Sequence, residues 1–476
     1  MKISNFLLVS ALTLAVTFPA IISCSNEETQ NDPEILYEYQ IEPNSLNKYT
    51  IDQLLDAVSE TMPVNLDDIE LPSIDGMDIS TISIKDLIPL LKLFIDGIDN
   101  IDDIINDKTT YSTCIMKYKS IDTKGNPIWL SGRLYFKRDE TKGDSFIKPD
   151  HIVLANHHTI CSNAQAPSMG IGIEAAIAHN NGLVVVPDYI GYGETLSKVH
   201  PFCIPDITAR NTLDMVRAAK QYFKDNGIKD IDSVPFYNEG YSQGGISALA
   251  VAKFVQTDPQ AKKEFKLANT YCGGGPYYMP GIYTTYVKED KHPYPIIVPM
   301  IMLGFHDYFP DLIDLEVEDY FSEAINNAGI IDYIRKKSNT DFEIMDSIAK
   351  VIKPIKTKGF EIGITVKTSD LVNKAFMEEG SEVYNKILQA TELCDLTKDW
   401  TPESPVHFMH SVDDEWVYYL NFEKAKEAFD SNPNTYFEPI KSLLLGKHLL
   451  TGVIFYARTV CGEYMKVYDK DGNVND

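Results

Sequence analysis

Short apolar runs that recur between helix-patterned stretches restrict this chain more than any other feature. HIVLA at 151–155, GLVVVPD at 182–188, VPFYNE at 234–239 and LANTYC at 267–272 are each too short for an ordinary helix, whereas the stretch after Pro205-Asp206 repeats Leu213, Val216, Ala219 and Phe223 on one helical face. Such alternation predicts an α/β protein with a mostly parallel, doubly wound sheet, because parallel strands need a long, usually helical, crossover between them. A hairpin precedes it, with extended runs near 114–118 and 128–136 flanking the turn DTKGN at 122–126. The alternation stops at Gly273-Gly274-Gly275-Pro276 and resumes with PVHFMH at 405–410, a helical YYLNFEKAKEAF, the extended YFEPIK and a helical LLTGVIFYARTV. The expected organisation is a core in two parts, 111–276 and 401–476, interrupted by a helical insertion at 277–400.

The start of the chain is a separate object. Met1 and Lys2 lead into an apolar run ending at Ile22, followed by Ser23-Cys24 and the polar stretch SNEETQND. A charged start, an apolar segment short for a membrane span and a small residue at the break predict an export signal over residues 1–23. Ile21-Ile22-Ser23-Cys24 resembles a bacterial lipobox, which implies that Cys24 is lipidated, begins the mature protein and attaches it to a membrane of the cell envelope. Residues 24–110 form an acidic extension in which Ile84, Leu87, Ile88, Leu91, Phe94, Ile95, Ile98 and Ile101 recur at helical spacing. That stripe is expected to be an amphipathic helix packed on the main body.

Charge narrows the partners. Lys and Arg total 43 against 69 Asp and Glu, a formal net charge of -26, which disfavours nucleic acid or an anionic membrane surface as the main partner. The remaining six cysteines are widely spaced without a C-x-x-C, so they indicate neither a zinc site nor a thioredoxin-like pair.

Within 234–246, VPFYNEGYSQGGI, lies Gly240-Tyr241-Ser242-Gln243-Gly244. A G-x-S-x-G spacing is weak alone, but here a strand pattern precedes it and a helix pattern follows, the context of a nucleophile elbow. A serine hydroxyl needs a positioned base to take its proton and a third group to orient that base. In chains built on such an elbow the order is Ser, then Asp or Glu, then His. Of the ten histidines only His448 follows the strand PVHFMH, so it is the candidate base. The acid belongs on the loop after His410, where Asp413, Asp414 and Glu415 are adjacent and point in different directions; Asp414 is the choice and Asp413 the alternative. One oxyanion donor is the backbone N–H of Gln243 at a helix N-terminus. A second is expected from the loop after HIVLA, where His157, His158 and Thr159 stand, with His158 and Thr159 as candidates. No metal and no cofactor is expected.

Pro187-Asp188-Tyr189-Ile190-Gly191-Tyr192-Gly193, His200-Pro201-Phe202, GYSQGG, DDEWV and KHLLTGVIF together resemble the secretory lipase branch of the α/β hydrolases, the group of fungal lipase A-type enzymes and related bacterial lipoproteins. The resemblance spans roughly 111–276 and 400–462 and implies the α/β-hydrolase fold, a helical cap inserted before the acid, hydrolysis of carboxylic esters and a triad of Ser242, Asp414 and His448. Asp188 precedes the serine and reads as a turn residue. Five tyrosines early in the insertion, Tyr277, Tyr278, Tyr283, Tyr286 and Tyr294, suit an apolar acyl group, an aromatic ester or a sugar ester, so the expected partner is a small-molecule, lipid or glycan ester. Two other classes compete: a prolyl-oligopeptidase-type serine peptidase, which would need a propeller that residues 24–108 are too few to build, and a non-catalytic surface lipoprotein that binds a ligand under the cap.

Overall fold

The computed structural model describes residues 37–51, 53–54, 98, 100–356, 363–441 and 447–475. The segment read as an export signal, Cys24 and the apolar stripe from Ile84 to Ile95 lie outside the described residues. A ten-stranded sheet organises the rest: β1 (Tyr39–Ile41), β2 (Asn47–Thr50), β3 (Thr110–Ile121), β4 (Pro127–Phe136), β5 (His151–Asn156), β6 (Gly182–Pro187), β7 (Phe236–Tyr241), β8 (Leu267–Gly273), β9 (Val406–Ser411) and β10 (Thr435–Ile440). The strands lie in the order β1-β3-β4-β6-β5-β7-β8-β9-β10, with β2 also on β3. Pairing is antiparallel through β6 at one end and parallel from β6 to β10.

The two faces explain why the central strands read as unbroken apolar runs. On β5, Ile152 and Leu154 join one core cluster while Val153 and Ala155 join the other; on β6, Leu183 and Val185 face one way and Val184 and Val186 the other. A strand covered on both faces has no polar side to alternate with. One cover is α1 (Pro205–Asp225), opened by the proline at its start, with Leu213, Val216, Ala219 and Phe223 all buried. Helix α2 (Gln243–Thr257) lies beside it and α9 (His448–Val460) covers the opposite face, where Ile454 and Phe455 join the second cluster.

Between β8 and β9 the chain forms a cap of helices, among them α3 (Met279–Glu289), α4 (Ile297–Tyr308), α5 (Ile330–Lys336), α6 (Asp341–Val351) and α7 (Glu382–Leu393). After β9 comes α8 (Leu420–Phe429). The segment ahead of the hairpin, read as helical, also supplies strands: β1 and β2 add to the sheet edge at β3, which an apolar stripe at helical spacing does not announce. Ile98 and Ile101, the described end of that stripe, are buried in the second cluster. Among the described residues no helix is long and apolar enough to cross a membrane.

Candidate active site

Strand β7 ends at Tyr241 and α2 begins at Gln243, which leaves Ser242 alone on the turn with φ 58° and ψ -118°. A β-carbon is strained there, by an amount on the order of 1–3 kcal/mol. The turn is held by main-chain bonds: the Ser242 N–H donates to the Gly273 carbonyl at 2.8 Å, and the Ser242 carbonyl accepts from Gly245 at 2.9 Å. Both flanking glycines are required by space. A β-carbon on Gly240 would lie 2.3 Å from the Gly244 carbonyl oxygen, and one on Gly244 would lie 2.0 Å from that of Asn156. The end of β5 therefore abuts the elbow itself.

His448 Nε2 lies 2.9 Å from Ser242 Oγ, and His448 Nδ1 lies 2.7 Å from Asp414 Oδ2. Asp414 is 5% exposed, and its other oxygen accepts from the N–H groups of Trp416 at 3.0 Å and Val417 at 2.7 Å. Main-chain donors thus offset the burial of a carboxylate and orient it toward the imidazole. Asp413, by contrast, is exposed, and its own N–H donates to Ser411 Oγ at 3.2 Å. Glu415 takes the third direction: its Oε2 accepts the backbone N–H of His448 at 3.2 Å, as a cap on the first turn of α9. His448 is the first residue of that helix. Its carbonyl accepts from the Tyr241 hydroxyl at 2.7 Å, so His448 is gripped on both sides of its main chain.

On the opposite side of Ser242, Gln243 is the first residue of α2, where an N–H has no acceptor within the helix. Its buried side chain donates from Nε2 to His200 Nε2 at 2.7 Å. His200 can accept there because its Nδ1–H donates to the Ile190 carbonyl at 2.8 Å, and burial holds the ring neutral by drawing its pKa down to about 3. In the loop after β5, the His157 ring lies 4.1 Å from that of Tyr189, a residue at φ 64°. His158 and Thr159 follow, both partly buried. His158 Nδ1 stands 3.4 Å from the Tyr456 hydroxyl, and desolvation, aided by the His157 and His448 imidazoles, lowers its pKa to about 4. Asp188 is fully buried at the turn after β6 and accepts from Ser131 Oγ at 2.5 Å and the Ser168 N–H at 2.7 Å.

The cap meets this site through Trp416, whose ring lies 5.3 Å from that of His448 and stacks on Tyr294 at 4.0 Å and 9°. Four of the cap tyrosines read as a substrate lining, Tyr277, Tyr283, Tyr286 and Tyr294, are buried instead. The hydroxyls of Tyr283, Tyr286 and Tyr294 donate to the Phe376 carbonyl, the Trp416 carbonyl and Asp341. A tyrosine run looks alike whether its rings fill a core or face a ligand. Two buried carboxyls also escaped sequence reasoning. Glu239, three residues before Ser242, and Glu174 are both under 4% exposed; burial raises Glu174 to about 7 and Glu239 well above the usual carboxylate range. Among the described residues no group of three or more His, Cys, Asp or Glu side chains converges as a metal site would require.

The fold recurs in solved structures. A ligand-bound form of the rice cell wall degrading esterase LipA from Xanthomonas oryzae superposes with a TM-score of 0.61 at 16% identity, over 90% of this chain and 96% of that one. Candida antarctica lipase A matches with a TM-score of 0.50 at 16% identity, over 75% of each chain. No curated protein sequence matches. The sequence model of the secretory lipase family matches residues 171–453, more than half of the chain and a span that holds the elbow, the acid loop and His448. The chain belongs to the secretory lipase family and is a carboxylic ester hydrolase of the lipase and esterase type.

Proposed function

We propose that this protein cleaves esters through an acyl-enzyme, with Ser242 as nucleophile, His448 as general base and acid, and Asp414 as the carboxylate that orients the imidazole. The observation that carries the reading is the continuous pair of hydrogen bonds from Ser242 Oγ through His448 to Asp414, 2.9 and 2.7 Å long, on a serine held at positive φ. With Asp414 accepting at Nδ1, the neutral imidazole carries its proton there and leaves Nε2 free to accept from the serine hydroxyl. Ser242 Oγ attacks the ester carbonyl carbon as its proton passes to His448. The tetrahedral oxyanion is bound by the N–H of Gln243 and by a second donor from the His158–Thr159 loop. His448 then protonates the departing alcohol, and water repeats the sequence to release the acid. The protein works outside the cytoplasm, anchored through lipidated Cys24.

A fluorophosphonate probe together with short p-nitrophenyl acyl esters tests the chemistry: Ser242 is expected to be the labelled residue, with labelling abolishing turnover. An unlabelled Ser242 with hydrolysis intact would refute the nucleophile assignment, and no labelling with no turnover would favour the ligand-binding alternative. A panel across acyl lengths, feruloyl esters and acetylated glycans identifies the substrate class. Membrane fractionation of the wild type against Cys24→Ala tests the anchor.

A further inference from the structure

The helical cap and the loop after β6 enclose a cavity of about 170 Å³ whose wall is unlike the rest of this acidic chain. Phe202, Met300, Leu303 and Ile334 give it an apolar body, and three cations, Lys198, Arg335 and Lys337, line it without a single carboxylate. The chain as a whole carries 69 acidic against 43 basic residues, so a wall of that composition departs from the background. We propose that this cavity binds an amphipathic monoanion, an apolar chain ending in a carboxylate, with the carboxylate held by Lys337.

Two of the three cations already have counter-ions: Arg335 pairs with Glu318, and Lys198 lies 3.6 Å from Asp122. Lys337 is different. It is 6% exposed, and its Nζ donates to the Leu196 carbonyl at 3.0 Å and the Lys198 carbonyl at 2.6 Å. An ammonium has three donors; the third meets only the face of the Tyr192 ring, 5.7 Å away, and is the one a ligand would take. No carboxylate among the described residues lies within ion-pair distance of it, and desolvation alone draws its pKa down to about 8. A buried lysine without a counter-ion is costly. The backbone adds to that cost, because Lys337 takes φ 51° at the C-terminus of α5, where glycine or asparagine would sit at ease. Its carbonyl in turn accepts the Asn163 N–H at 2.8 Å, which ties the Lys337 main chain to the loop after β5. An incoming carboxylate would supply the missing charge, while the apolar wall accepts the chain attached to it.

The cavity also reaches the chemistry. His200 forms part of its wall and is the residue bonded to the Gln243 side chain, next in sequence to Ser242. The same chemistry has two sources: a free carboxylic acid, such as the product of ester cleavage, or an ester whose acyl chain ends in a second carboxylate.

Calorimetric titration of the mature protein with octanoate and with 1-octanol separates charge from chain. Octanoate is expected to bind more tightly than octanol, and Lys337→Met to weaken octanoate by roughly tenfold to a hundredfold, as loss of one charge-assisted hydrogen bond implies, while sparing octanol. Leu303→Trp, which fills the cavity and keeps Lys337, is expected to abolish binding of both and serves if Lys337→Met does not fold. Equal affinities for acid and alcohol, or octanoate binding untouched by either variant, would overturn the proposal. Kinetic arms name the source: inhibition by octanoate points to the free acid, and a Lys337-dependent preference for mono-p-nitrophenyl suberate over p-nitrophenyl octanoate points to the diacid ester. Calorimetry needs no turnover, so a protein that binds octanoate through Lys337 but cleaves no ester would sink the ester-cleavage mechanism and leave this site standing.

Discussion

His448 Nε2 lies 2.9 Å from Ser242 Oγ although 206 positions separate the two residues in the chain. The contact depends on supports from three directions: the elbow that projects Ser242, the Tyr241 hydroxyl on the His448 carbonyl and the Glu415 carboxylate on the His448 N–H. Ser242→Ala and His448→Ala are each expected to lower kcat by roughly 10⁴-fold or more, and the double variant to lose little beyond either single one, as the proposed mechanism, in which the two act as a unit, requires. Steady-state kinetics on a p-nitrophenyl ester measure this; additive losses would mean that the residues act separately.

The acid loop permits a comparison between neighbours. Asp414→Asn keeps the size of the side chain but favours the wrong imidazole tautomer, and a loss in kcat on the order of 10⁴-fold is expected. Asp413 is exposed, and Asp413→Asn should leave kcat/KM within about twofold, the range of a surface change. Reversal of the two effects would reassign the acid.

Space at the elbow makes a third case. Gly244→Ala would bring a β-carbon to 2.0 Å from the Asn156 carbonyl oxygen, whereas Gly125→Ala, on the hairpin turn at φ 80°, meets nothing within 4 Å. Gly244→Ala is expected to cost roughly 1–3 kcal/mol of stability and to disturb the oxyanion side of the site, with a large fall in kcat. Gly125→Ala should carry only the dihedral strain, about 1 kcal/mol, with activity unchanged. Denaturant unfolding and kinetics on both variants separate crowding from strain.

Glu174 and Glu239 tie stability to pH. Burial raises Glu174 to about 7 and Glu239 well above the usual range, so between their ordinary value and those raised ones the folded state holds protons that the unfolded chain has released. The stability those protons contribute is fully present in mild acid, below the ordinary carboxylate pKa, and is lost as pH rises through 7 and beyond. Glu174→Gln fixes the neutral form and is expected to raise Tm at pH 8 by roughly 2–4 °C relative to wild type, with little gain near pH 4.5. Thermal unfolding across pH checks this, and a gain that does not depend on pH would point to packing.

Much of this architecture was legible from short-range pattern. Runs such as GLVVVP are apolar throughout because β6 is covered on both faces, and α1 announces itself through a proline start and a 3.6-residue stripe. The cap tyrosines were not legible, because nothing in YYMPGIYTTY distinguishes rings that donate to the Phe376 and Trp416 carbonyls from rings that meet a substrate. Glu239 was equally hidden, since its strand alternates no differently from one that carries an exposed carboxylate.

Residue order alone determined the strand–turn–helix around Ser242 and the identity of His448 as the one late histidine, because both depend on local pattern and on sequence position. Which of Asp413, Asp414 and Glu415 turns toward His448 was decided only by the tertiary structure. Neighbours on a tight turn differ in direction, and direction here follows from where the N–H groups of Trp416 and Val417 and the start of α9 come to lie.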